Sequence, residues 1–204
     1  MAMTLEYALD LNHRLWLPVP LRFPWNDYTD AEGWADAVAE GMLDELIPAV
    51  RSARPGADAA EVRELLRATA LASALAPPPL PDPSERFWYL PREGREAIVH
   101  LYVSEYQGGT GQDDFVALAV AGVGGTLHSA ETLTGTAFDT AFDTAARTIV
   151  LVEGSDPPAV VLRLIGIAVG AVSVLEFIHP DPSAVAEVLP ALEQLFGSIR
   201  MRRV

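Results

Sequence analysis

The sequence contains no cysteine and no lysine; all 14 of its basic residues are arginine. Without cysteine there is no disulfide, no thiolate metal site and no cysteine nucleophile. Without lysine there is no Schiff base, no Ser–Lys dyad and no phosphate-loop lysine. Positive charge is scarce altogether: 28 acidic residues face the 14 arginines, giving a formal net charge of −14 and a pI of about 4.5. Nucleic-acid binding runs on neutralising phosphates, and anionic lipid repels the same sign, so neither nucleic acid nor membrane is an expected partner. A long apolar run is missing too. The best stretch, residues 157–178, is broken by Arg163 and Glu176, with twelve residues between them, against the ~20 that a spanning helix needs. The opening "MAMTLEYALDLNHRLW" has neither the basic start nor the apolar core of a signal peptide, so a cytoplasmic protein is expected.

The usual catalytic and cofactor patterns are also lacking. The four histidines, His13, His100, His128 and His179, show no zinc-binding helical spacing. There is no G-x-S-x-G elbow, and "HSAE" at 128–131 has no spacing that defines a triad, which only three-dimensional geometry can do. "AVAGVGGTLH" (119–128) falls short of the dinucleotide fingerprint, and its glycines read as a hairpin connection. Asp113–Asp114 lack the regular calcium-loop pattern. No cofactor and no metal are expected.

What the sequence does contain is architecture. Half of the residues are apolar, enough for a sizeable core in 204 residues. "LWLPVPLRFPWNDY" (15–28) reads as an edge strand or extended arm. Two helices follow. The first is capped by Asp30 or Thr29, with Trp34, Val38 and Met42 at i+4 spacing and an expected kink or end near Leu46 ahead of Pro48. The second is capped by Asp58, with Val62, Leu65, Leu66, Thr69 and Ser73 as its expected inner face. Together they form a helical hairpin. "APPPLPDP" (76–83) is a stiff extended linker that carries a PxxP, dividing an N-terminal region, 1–80, from a sheet region, 81–204.

Strands are expected over 86–90, 96–106, 115–122, 147–154, 159–169 and 172–179, close enough in sequence to favour antiparallel pairing. Asp181 caps a last helix with Pro182 at its first position, and Arg200, Arg202 and Arg203 sit at its negative end. The fold class is therefore α+β: an antiparallel sheet of five to seven strands, a C-terminal helix packed on it and an N-terminal helical hairpin. In "TAFDTAFDTAAR" (136–147) the repeated unit reads as a turn-rich lead-in to a strand. Its phenylalanines anchor to the core, and Arg147 neutralises Asp143.

Between residues 86 and 203, the run "RTIVLVEG…VVLRLIGIAV…VSVLEFIHPDPSAV" leading into an amphipathic helix resembles the PsbP-like α/β/α sandwich. The resemblance is one of topology, and it implies a binding or assembly protein in place of an enzyme. Three functional expectations follow. The first is a protein–protein interaction factor of adaptor, chaperone or immunity type. Its surface would be the aromatic anchors Trp16, Phe23 and Trp25 and the acidic helix stripe Asp36, Glu40 and Asp44. The second is a ligand-binding or enzymatic pocket between sheet and helices, using His100, His128, Glu131 and Arg163. The third is a self-assembling subunit, a homo-oligomer. The acidic tract 96–156, with nine acids against the single base Arg147, fits solubility, a cationic partner or a bound cation.

Overall fold

The structure is a computed structural model, and it describes residues 4–91, 95–122, 126–134, 140–153 and 159–204, with the side chains of 126–134 and of 153 outside that description. The chain divides into two compact units, residues 19–79 and residues 1–18 together with 80–204. The first eighteen residues thus belong with the sheet and not with the helical hairpin.

Among the described residues the sheet unit holds nine strands and two helices: β1 (Leu5–Ala8), β2 (Trp16–Pro18), β3 (Glu85–Tyr89), β4 (Ala97–Glu105), α3 (Gln112–Val120), β5 (Thr126–Thr134), β6 (Thr144–Glu153), β7 (Ala159–Ala168), β8 (Ala171–His179), α4 (Pro182–Gly197) and β9 (Arg200–Arg203). Seven strands make one antiparallel sheet in the order β2-β3-β4-β8-β7-β6-β5, and β1 pairs with β9 in a separate ribbon. The β7–β8 register is set by a two-residue turn, Val169–Gly170, with φ of 50° and 71°. Two positive φ values match the twist of the flanking strands, which is why a glycine stands at 170. Arg203 donates to both turn carbonyls, Val169 O at 2.7 Å and Gly170 O at 3.1 Å.

Alternation along the strands builds a core on each face of the sheet. On one face Val99, Leu101, Leu162, Leu164, Leu175 and Phe177 meet Val188, Leu192 and Phe196 of α4. On the other, Val150, Val161, Ile165 and Val174 meet Phe115 and Ala119 of α3. Each large side chain so buried contributes about 1.5–3 kcal/mol. α4 begins as the sequence predicts: Asp181 accepts from Ser183 N at 2.9 Å, and Pro182 is its first residue.

Several expectations are corrected. Residues 112–120 are helix, not the strand placed at 115–122. The acidic residues Asp113 and Asp114 occupy the first turn, Asp114 accepts from Gly111 N at 2.9 Å, and Phe115 and Ala119 bury at i+4 spacing. Arg202 and Arg203 do not end a helix; they lie on β9, where Arg202 pairs with Glu6 at 2.7 Å and Arg203 approaches Glu105 at 3.4 Å. Arg200 does reach the end of α4: its Nη1 donates to Gly197 O at 2.6 Å, and also to Ile199 O just beyond the helix at 2.9 Å. Arg147 pairs with Glu193 of α4 at 2.7 Å, while Asp143 is exposed. Of the repeated phenylalanines, Phe142 is buried against Phe196, at 4.7 Å between ring centroids; Phe138 and Asp139 lie outside the described residues.

The unit of residues 19–79 is a helical hairpin, α1 (Ala31–Ala53) and α2 (Ala59–Leu75). Asp30 caps α1 through Gly33 N and Asp58 caps α2 through Ala60 N. α1 continues past Pro48 to Ala53. Both Pro48 and Asp44 are exposed, so the carbonyl that Pro48 cannot engage is open to water. The expected inner face of α2 is met in part: Val62, Leu66, Thr69 and Ser73 are half-buried and Ala70 beside them is buried, but Leu65 is exposed.

Candidate functional site

Five polar residues form a continuous row across the face of the sheet that carries α3. Arg86 on β3 is opposite His100 on β4, His100 is opposite Glu176 on β8, Glu176 is opposite Arg163 on β7, and Arg163 is opposite Thr148 on β6. All five are buried. Four of the side chains form two pairs: Arg86 Nε donates to His100 Nε2 at 3.0 Å, and Arg163 grips Glu176 Oε2 through Nε at 2.7 Å and Nη2 at 2.6 Å. Arg163 Nη1 donates to three carbonyls at the end of α3, Leu118 O (2.9 Å), Ala119 O (2.8 Å) and Ala121 O (2.8 Å). A helix leaves its last carbonyls unsatisfied, and a buried guanidinium meets that need with charge of the right sign. Thr148 Oγ1 donates to Arg163 O at 3.3 Å. Tyr102, beside the row, has its hydroxyl pKa pushed up to about 12 by burial and then by the Glu176 charge.

His100 is depressed to about 4, first by burial and then by the adjacent Arg86 charge. The unfolded chain would take up this proton near pH 6.5. Between those values it binds more protons than the folded chain, so the His100 contribution is complete above about pH 6.5 and is lost as the pH falls toward 4. A loss on the order of 3 kcal/mol is expected across that window. Urea unfolding at pH 7 and pH 4.5 checks it. The His100→Gln variant should show a shallower fall than the wild type, and identical slopes would refute the assignment.

The site residues named from the sequence are therefore distributed as follows. His100 and Arg163 stand in one row on either side of Glu176, His100 bonded to Arg86 and Arg163 to Glu176 Oε2. His128 and Glu131 lie on β5, where Glu131 is opposite Ile149; their side chains are outside the described residues. Trp16 is 3 % exposed, packed on Tyr89 at 4.8 Å and Phe87 at 6.5 Å between centroids, so it is a core residue and no surface anchor. Phe23 and Trp25 are half-buried in the other unit, where Trp25 stacks on Tyr28. The acidic stripe of α1 meets arginines of its own hairpin: Asp36 pairs with Arg67 at 2.7 Å and Glu40 with Arg63 at 3.0 Å, leaving Asp44 exposed. Arg63 and Arg67 both belong to α2. Among the described residues no three carboxylates or imidazoles gather to hold a metal.

Glu176, Arg86 and Thr148 were not singled out from the sequence, although a signal for Glu176 existed. Arg163 stands five residues before Ala168, and Glu176 five after Ala171, so a two-residue turn places one opposite the other.

Two surface features remain. A cleft of about 390 Å³ lies between Asp10, Asn12 and Trp16 on one side and Gln194, Leu195 and Ser198 on the other. Its polar groups are partly committed: Asn12 O accepts from Leu15 N and Trp16 N, and Ser198 Oγ accepts from Asp10 N at 3.3 Å. The second is the margin of the sheet. β5 is nine residues long, pairs with β6 on one side, and among the described residues has no strand on the other.

No family model matches the chain, and no curated protein matches it. Among solved structures it is similar to PA94, a protein of unknown function from Pseudomonas aeruginosa, at 21% identity and a TM-score of 0.38, over 58% of this chain and 83% of that one. Among the described residues no helix is long and apolar enough to cross a membrane.

Proposed function

We propose that the protein acts by binding other proteins, as an adaptor, chaperone or immunity-type factor, and not by catalysing a reaction. The observation that carries this reading is the open edge of β5. A nine-residue antiparallel strand whose outer N–H and C=O groups have no strand partner among the described residues is a template for an added strand. Natural sheets blunt such edges with charge or proline. β5, "TLHSAETLT", carries one acid and no proline, whereas the opposite edge, β2, is three residues long and ends in Pro18. The state of the polar inventory supports the same reading, since His100 and Arg163 are spent on core contacts. The sheet with α4 on one face and α3 on the other also supports reading this unit as a PsbP-like sandwich.

Proline substitution tests the edge. Adjacent residues of a strand point their N–H groups to opposite sides. Of Thr132→Pro and Leu133→Pro, one removes an outward donor and the other breaks the β6 ladder. The outward variant should keep the wild-type melting temperature and lose the partner recovered by affinity purification from the native host. The inward one should melt earlier. If both variants retain that partner, the edge is not the binding site.

A further inference from the structure

The solvent face of α2 is apolar over half its length. Leu65 is 68% exposed and Leu75 66%, and the Ala68 and Ala72 between them are exposed as well. The spacing of three, four and three puts all four residues on one stripe of the helix. The charged residues of α2, Glu61, Arg63, Glu64 and Arg67, all lie in its first half; from Ala68 to Leu75 there is none. A solvated helix face ordinarily carries charge. Two leucines kept in water on such a face mark a contact surface.

We propose that this stripe is a self-recognition surface, on which α2 of a second copy of the chain packs antiparallel. The pattern Leu–Ala–Ala–Leu reads the same in both directions. A twofold axis level with residue 70 sets Leu65 against Leu75 of the second copy and Ala68 against Ala72, so the surface is complementary to itself. The alanines at the centre let the helices approach to about 8 Å. Charge chooses the direction. A parallel pair would stack Glu61 and Glu64 on their own copies, whereas the antiparallel pair holds the glutamates at opposite ends of a ridge about 15 Å long and opposes the helix dipoles. The ridge is short, so the dimer belongs at the weak end of specific interfaces and forms at roughly micromolar concentration or above. Because each copy carries −14, added salt should strengthen it, the reverse of what a cationic partner would show. The proposal does not depend on the β5 edge, and either can fail alone.

Sedimentation velocity over a wide concentration range tests it. The wild type should show a monomer–dimer equilibrium that tightens with salt. Leu65→Glu and Leu75→Arg should each be monomeric with unchanged circular-dichroism melts, since both sites are solvent-facing and all the residues concerned are good helix formers. Ala68→Glu is a second disruptive variant at the centre of the stripe. An equal mixture of Leu65→Glu and Leu75→Arg should dimerise again, because antiparallel pairing brings the new opposite charges together and leaves the other leucine pair intact. A wild type that stays monomeric at every concentration and salt overturns the proposal. So does a dimer that survives these substitutions, or a mixture that fails to re-form one.

Discussion

Arg163→Met is expected to lower the unfolding free energy by about 3–5 kcal/mol at neutral pH, because it leaves the Glu176 carboxylate buried without its cation. The side chain of Arg163 is 1% exposed and that of Glu176 0%, so water cannot replace the lost partner. The same substitution strips the donors from Leu118 O, Ala119 O and Ala121 O, so α3 should loosen first. Hydrogen exchange at 112–120 would read that directly. Removing both charges, as Arg163→Met with Glu176→Leu, should restore a large part of the loss, since an apolar pair of similar volume avoids the desolvation cost. What remains should come from the three orphaned carbonyls, on the order of 1 kcal/mol each. Urea midpoints of the two single variants and the double variant give the coupling. Strict additivity would mean that the two residues do not act as a pair.

The second large effect concerns Phe142. Phe142→Ala removes a ring packed on Phe196 in the α4-side core and should cost about 3–5 kcal/mol. Across from it, Gly166 has no side chain because the ring occupies that place: a methyl there would overlap Phe142 Cγ and Cδ2. Gly166→Ala alone should therefore cost about 1–3 kcal/mol through overpacking. Combined with Phe142→Ala, the new methyl enters the vacated space, so the double variant should lose clearly less than the sum of the singles. Thermal or urea unfolding of the three variants decides it. If the losses add, the ring and the glycine are not in the contact described.

The reading of "TAFDTAFD" and the reading of α2 show what the sequence could and could not convey. Elements marked by local chemistry were legible: the Asp181–Pro182 start of α4, the Asp30 and Asp58 caps, and the hairpins whose strands are joined tightly. Phe142 was legible as an anchor because it precedes a strand of apolar alternation. Elements whose identity depends on what lies across from them were not. "FVALAVAG" is apolar in every position, so neither period stands out within it; its helical part, up to Val120, shows itself through the acidic first turn before it and through packing on β5, β6 and β7. β5 and β9 are polar or basic, and they become strands through a neighbour's ladder. α2 is apolar on both the Leu66–Ala70 side and the Leu65–Leu75 side, so periodicity could not tell inside from outside. The candidate site was legible as single residues, His100 and Arg163, but not as a row. A cross-strand row is a property of register, and register across seven strands is fixed by the turns and bulges together.

The ribbon of β1 and β9 holds Thr4 against Val204. Thr4 and Val204 exchange backbone hydrogen bonds of 2.8 and 3.0 Å, and Leu5 faces Arg203. Tension applied at Thr4 and Val204 would therefore meet the ribbon end-on. Its pairs would separate in succession, as a zipper does, and would not resist together in shear. For this sheet the line from Thr4 to Val204 is the mechanically soft direction, and tethering the protein at those two residues would peel β1 and β9 away before any load reached the seven-stranded sheet.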